Sequence, residues 1–171
     1  MNTLLVILTT CSCCLEQPDS LSQYGAAIEW VSHSDVANEF MHARDTNLSM
    51  VVSDSIVPLE MTSFFEELGR GMISQGKKAL LDSLSHLDMS LQSDTTKMPD
   101  IGSLRSNTNG RFVLFFSKSF GNALIAELFY NPHEYHSYKA VTRFNQSLMF
   151  LFEFDKSNHI AKVTITSPQY E

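Results

Sequence analysis

The stretch SLMFLFEF (Ser147 to Phe154) puts Met149, Phe150, Leu151, Phe152 and Phe154 into one extended run. DKSN then turns the chain straight back into HIAKVTIT (His159 to Thr166). Strand side chains alternate between two faces, so a run that is apolar at successive positions meets water on neither. Such a strand crosses the middle of a layered protein or lines an apolar cavity.

The rest of the chain must supply the layers. At 171 residues with 43% hydrophobic, it can build the sizeable core of one domain. Twelve phenylalanines concentrate around Phe64–Phe65 and between Phe112 and Phe154. The net charge is −7, and Lys77–Lys78 is the longest basic run, so the chain lacks the footprint of a nucleic-acid binder. All three cysteines, Cys11, Cys13 and Cys14, precede the body, which excludes a disulfide framework there.

The start, MNTLLVILTTCSCC, has an apolar run too short to span a bilayer, which takes about 20 residues. Its LTTC ending resembles a lipoprotein signal with Cys11 as the lipidated residue, although no Lys or Arg precedes the run. Palmitoylation of the clustered cysteines is a second way to attach this end to a membrane. A plain extension with free thiols is the third reading. Residues 1–18 are therefore set apart as an apolar, cysteine-bearing segment and linker, and 19–171 as one folded domain. Secretion or membrane anchoring, which the first two readings imply, is expected over a cytoplasmic location.

Within the body, Tyr24, Ile28 and Val31 continue a helical stripe begun at Leu21, and Ser34 offers a cap for a second helix carrying Val36, Phe40 and Met41. SIVPLEM (Ser55 to Met61) reads as a short edge strand, with Pro58 barring it from a sheet interior. TSFFEELGRGM reads as a short helix with Glu66 and Glu67 in its first turn. SQGKKALLDSLSHL is a longer helix with Ala79, Leu80, Leu84 and Leu87 on one face. The period then shortens. RFVLFFSKSF, the turn Gly121–Asn122 and ALIAELFY form a hairpin, and YKAVTRFNQSLMFLFEF (Tyr138 to Phe154) reads as one long or bulged strand. Segregated helices and strands predict an α+β domain with helices covering one face of an antiparallel sheet.

NEFMHARDTNLSMVVSDSIV, GKKALLDSL, and GNALIAELFY followed by LMFLFEFDKSNHIAKVTI occur in an order that resembles the nuclear transport factor 2-like superfamily. That group includes ketosteroid isomerases and SnoaL-like polyketide cyclases, and the likeness spans roughly residues 35 to 166. It implies a cone, with N-terminal helices packed in the concave face of a curved antiparallel sheet. It also implies a pocket for a small hydrophobic ligand, lined by Phe40, Phe116, Leu128, Phe150 and Phe152, and a homodimer formed through the outer face of the sheet. Plain core is the competing reading for each of these apolar residues.

In the enzymes of that superfamily a carboxylate in the cone moves a proton and a Tyr or second acid assists. Burial raises a carboxyl pKa towards the range useful for that work. No motif carries such a residue over to this chain. The polar groups inside apolar strands are Glu127 in LIAELFY and Glu153 in FLFEFD, with Tyr130 as helper. Burying an unpaired carboxylate is costly, so both glutamates are expected outward, paired across strands with Arg111, Lys139 or Arg143. HEYH (His133 to His136) has a spacing that could hold a metal only on a helix, and Asn131–Pro132 makes it a polar loop instead. No metal or cofactor is expected, since there is no phosphate-cradling loop, nucleophile elbow or paired Cys/His site. Asn47 and Asn145 open glycosylation sequons that matter only on an exported eukaryotic chain. The leading expectation is a non-catalytic ligand-binding or dimerising domain; the alternative is a cofactor-independent isomerase or cyclase.

Overall fold

The computed structural model describes residues 20–91, 110–133, 137–142 and 146–168. The cysteine segment, residues 92–109 and residues 134–136 of HEYH fall outside them. Two helices come first, α1 (Ser20–His33) and α2 (Asp35–His42). Ser34 separates them, and its Oγ accepts from the Ala37 N–H at 3.4 Å, as an N-cap should. β1 (Met50–Ile56) follows, then a 3₁₀ turn (Met61–Phe64), α3 (Phe65–Leu68) and α4 (Ser74–Leu91). The remaining elements are β2 (Phe112–Phe116), β3 (Ala123–Tyr130), α5 (Tyr138–Val141), β4 (Ser147–Phe154) and β5 (Ile160–Thr166).

The five strands form one sheet in chain order, so β2 to β5 make an antiparallel meander. β1 joins β2 in parallel, which makes the sheet mixed and corrects the all-antiparallel expectation. A parallel neighbour needs a crossover. Here the 3₁₀ turn, α3 and α4 provide it, and they pass over one face of the sheet.

That crossover explains the apolar strands. On the first face Phe112, Leu114 and Phe116 of β2, Leu124, Ala126 and Leu128 of β3, and Phe150, Phe152 and Phe154 of β4 meet Tyr24, Ala27, Val31, Ala37, Phe40 and Met41 from α1 and α2. On the second, Val113, Phe115, Ile125, Phe129, Met149 and Leu151 meet Phe64, Leu80, Leu84 and Val141. The sheet is thus covered on both sides, where one layer of helices was expected. A strand covered twice is apolar at nearly every position: β2 is so throughout, β3 except at Glu127 and Tyr130, and β4 except at Ser147 and Glu153.

Polar side chains lock α1 to the strand connections. Tyr24 Oη donates to the Ser117 carbonyl and accepts from the Ser119 N–H, both at 3.1 Å. Gln23, fully buried, accepts from Ser119 Oγ at 2.7 Å and reaches Asn158 in the β4–β5 turn at 3.4 Å. The expected turn at Gly121–Asn122 is present, with paired bonds of 3.0 Å between Phe120 and Ala123 and φ of +60° at Gly121.

Two segments differ from the sequence reading. The strand expected at Ser55–Met61 ends at Ile56, because Met50, Val51 and Val52 are the residues in register with Phe112, Val113 and Leu114. Tyr138–Val141 is a helical turn and not the start of β4. β4 begins at Ser147 opposite Phe129, one residue from the end of β3, so an earlier start would have no strand to pair with.

Candidate functional site

Glu127 lies within β3, opposite Phe115 of β2 and Met149 of β4, and it is completely buried. It shares the second face with Ile125 and Phe129. The outward orientation expected for it is therefore wrong, because the crossover and α5 cover the face that would have been wet. Burial of a carboxylate requires partners close at hand. Ser147 Oγ donates to Glu127 Oε1 at 2.5 Å, and Tyr138 Oη donates to Oε2 at 2.7 Å. Both bonds are short.

Each donor is placed by backbone geometry. Ser147 starts β4 opposite Phe129, and thus sits diagonally from Glu127. Tyr138 opens α5, and its ring packs edge to face on Phe115 (5.2 Å) and Phe129 (5.8 Å), which also pack edge to face on one another at 6.1 Å. The three rings make an apolar wall on the same side of the sheet as the carboxylate. A buried acid beside a phenol could in principle exchange a proton with a bound substrate. In this structure its oxygens are engaged by the protein's own hydroxyls.

The other expected catalytic residues do not join it. Glu153 lies at the far end of β4, opposite Ala123, and pairs with Lys162 of β5 at 2.8 Å. That is the cross-strand pairing anticipated for it, with Lys162 in place of Arg111, Lys139 or Arg143. Tyr130 projects from the opposite face of β3, against Phe112 at 5.3 Å, and donates to Asp45 Oδ2 at 3.1 Å. Neighbours on a strand point to opposite faces three residues apart, so Tyr130 cannot assist Glu127. Tyr138, which the sequence reading left in a strand, takes that place.

Asp45 gathers a polar cluster at the end of α2. Oδ1 accepts from the Asn47 N–H at 2.9 Å, and Arg111 Nε lies 3.7 Å from Oδ2. The Asn47 N–H is the main reason that the Asp45 carboxyl is held below its ordinary value; the Tyr130 hydroxyl and the Arg111 charge add to it. Tyr130 is pushed up, first by partial desolvation and then by Asp45. Asn47 of the first sequon is exposed, and Asn145 of the second lies outside the described residues.

The five residues expected to line a pocket are brought together on the first face. Phe40 is 7% exposed; Phe116, Leu128, Phe150 and Phe152 are 0%. Trp30 of α1 packs edge to face on Phe150 (5.8 Å) and Phe152 (5.7 Å), and Tyr24 does so on Phe116 at 5.3 Å. Side chains of α1 and α2 thus pack directly against these residues.

Asp88 near the end of α4 is a polar anchor that sequence reasoning missed. It accepts from the Met61 N–H at 2.6 Å, and from the Thr62 N–H (3.0 Å) and Oγ1 (2.8 Å), capping the 3₁₀ turn from another helix. Its signal in the sequence was a lone acid on the apolar side of α4, in step with Leu80, Leu84 and Leu87. Among the described residues no group of three or more His, Cys, Asp or Glu is placed to hold a metal, and no helix is long and apolar enough to cross a membrane. Compared with protein-family models, curated proteins and solved structures, the chain matches none.

Proposed function

We propose that this chain is a non-catalytic association domain, a packed body whose role is to pair with another protein surface. The observation that carries this reading is the packing of the first face, where Phe116, Leu128, Phe150 and Phe152 have no exposed surface and helix side chains lie against them. The same holds for the acid that an enzyme would need, since Ser147 and Tyr138 engage both oxygens of Glu127. Kinship with the nuclear transport factor 2-like superfamily belongs to the same proposal. It is supported by the order of two helices, a short strand, a longer helix and an antiparallel meander.

Native mass spectrometry of the full chain, isolated from its own cells, tests the reading. The expected spectrum shows the chain with a second copy or another protein and no stoichiometric small molecule. A small molecule retained at one per chain would overturn the association role in favour of ligand binding.

A second reading is supported by the Glu127–Tyr138 pair alone: a cofactor-independent isomerase or cyclase with Glu127 as base. It requires an opening on the second face that admits a substrate. Glu127→Gln would then abolish turnover of any such substrate while leaving the fold intact.

A further inference from the structure

With both faces of the sheet covered, its edges carry the backbone groups open to a partner strand among the described residues. The two edges differ. Along β1 the register with β2 shifts between Val52 and Ile56, Ser53 Oγ takes the Ser55 N–H at 3.2 Å, and Asp54 is exposed. Irregularity and charge are the usual means of blunting an edge. β5 also shifts register, between Ile160 and Lys162, but from Lys162 to Thr166 it pairs without a shift against Glu153–Met149. Every residue of that run except Lys162 is β-branched, which suits an extended strand. Lys162 is its one charge, and Glu153 of the same sheet neutralises it at 2.8 Å.

The direction of the open groups follows from the ladder. The Phe154 N–H bonds Asn122 in the turn before β3, so the backbone of Phe154 faces β3. Successive residues alternate in direction, so Glu153, Leu151 and Met149 face β5. Their partners Lys162, Thr164 and Thr166 face back towards β4. Val163 and Ile165 therefore direct their N–H and C=O groups to the open edge.

We infer that β5 pairs with β5 of a second copy of this chain, antiparallel, about a two-fold axis through Thr164. The inference rests on the association reading above and names its partner. Thr164 is the midpoint of the regular run. In this register Val163 of each copy meets Ile165 of the other, so every outward N–H and C=O of both residues is bonded. Thr164 meets Thr164, and Lys162 meets Thr166. Threonine and β-branched pairs are favourable across strands, and no like charges come face to face. A second copy supplies this matching strand without further recognition, whereas an unrelated peptide would need its own specificity for the flanking surface. The seam is small, so the dimer is weak, and salt strengthens it by screening the repulsion between two chains of net charge −7.

The test is sedimentation of the full chain over a wide concentration range, with three substitutions. Val163→Pro removes an outward N–H and is tolerated on an edge. Thr164→Lys sets two like charges against each other at the axis. Thr164→Cys, made with Cys11, Cys13 and Cys14 changed to Ser, places two thiols at a non-hydrogen-bonded pair about 4.5 Å apart in Cα, within disulfide range. A concentration-dependent dimer is expected. Val163→Pro and Thr164→Lys should weaken it at least about tenfold with unchanged circular dichroism, and Thr164→Cys should trap it under mild oxidation. Thr164→Lys is a backup should Val163→Pro fail to fold. A dimer indifferent to all the substitutions overturns the seam and leaves association standing. A chain that is monomeric at every concentration also overturns it; whether association falls too is then read from the native mass spectrum, where another protein in place of a second copy would sustain it.

Discussion

Tyr138 donates its hydroxyl to Glu127 across eleven residues of chain, from a helical turn to a strand, and fills the apolar wall between Phe115 and Phe129 with the same ring. One side chain thus satisfies a buried carboxylate and packs the second face. Tyr138→Phe keeps the packing and removes the bond. Leaving a buried polar group without its partner costs roughly 1–3 kcal/mol, and a loss in that range is expected in urea unfolding at neutral pH. Ser147→Ala should cost a similar amount. If both single changes are neutral, Glu127 is not held in the way described.

Asp88 fixes the crossover to the end of α4. Asp88→Ala removes three bonds to Met61 and Thr62 and should cost about 2 kcal/mol, the upper end for loss of a helix cap. Asp88→Asn retains an acceptor oxygen and should cost less. Equal losses for the two variants would show that charge, and not capping, is what Asp88 supplies.

Gly110 leads into β2 beside Ser49 and Val51. A Cβ there would stand 2.6 Å from Val51 Cγ2 and 2.8 Å from the Ser49 carbonyl oxygen. The carbonyl belongs to the backbone and cannot rotate away. Gly110→Ala should therefore destabilise by about 1–3 kcal/mol, as overpacked sites do. Thermal unfolding measures this, and a neutral result would mean that the β1–β2 approach is looser than the structure has it.

Asp155 holds the β4–β5 turn by accepting from the Ser157 N–H at 2.8 Å and the His159 N–H at 3.0 Å. The His159 N–H, then the Ser157 N–H, keep its carboxyl below the ordinary value. A carboxyl depressed in the folded state adds stability at pH above its unfolded value, near 4, and loses it as pH falls through the folded value. Asp45 acts in the same direction. Acidification below about pH 4 should thus lower stability, with a shallower decline in Asp155→Asn than in the parent. Parallel pH profiles for the two would remove Asp155 from the account.

Much of the fold was legible along the chain. The α1 and α2 stripes, the capping Ser34, the long helix from Ser74 and the turns at Gly121–Asn122 and Asp155–Asn158 all rest on local preferences that neighbouring residues carry. The apolar run Met149–Phe154 likewise required cover on both sides. What the sequence could not determine was which elements provide that cover. Glu127 and Glu153 occupy similar apolar strands, yet one is enclosed and the other pairs with Lys162. The difference is that β3 lies at the centre of the sheet beneath α5, whereas Glu153 lies at the far end of β4 beside the edge strand. Tyr138 and Tyr130 flank the same loop, but strand alternation sends Tyr130 to Asp45 and a helical turn sends Tyr138 to Glu127. Local residue preference sets helix, strand and turn; burial and hydrogen-bond partners depend on distant segments, and only the tertiary structure brings those together.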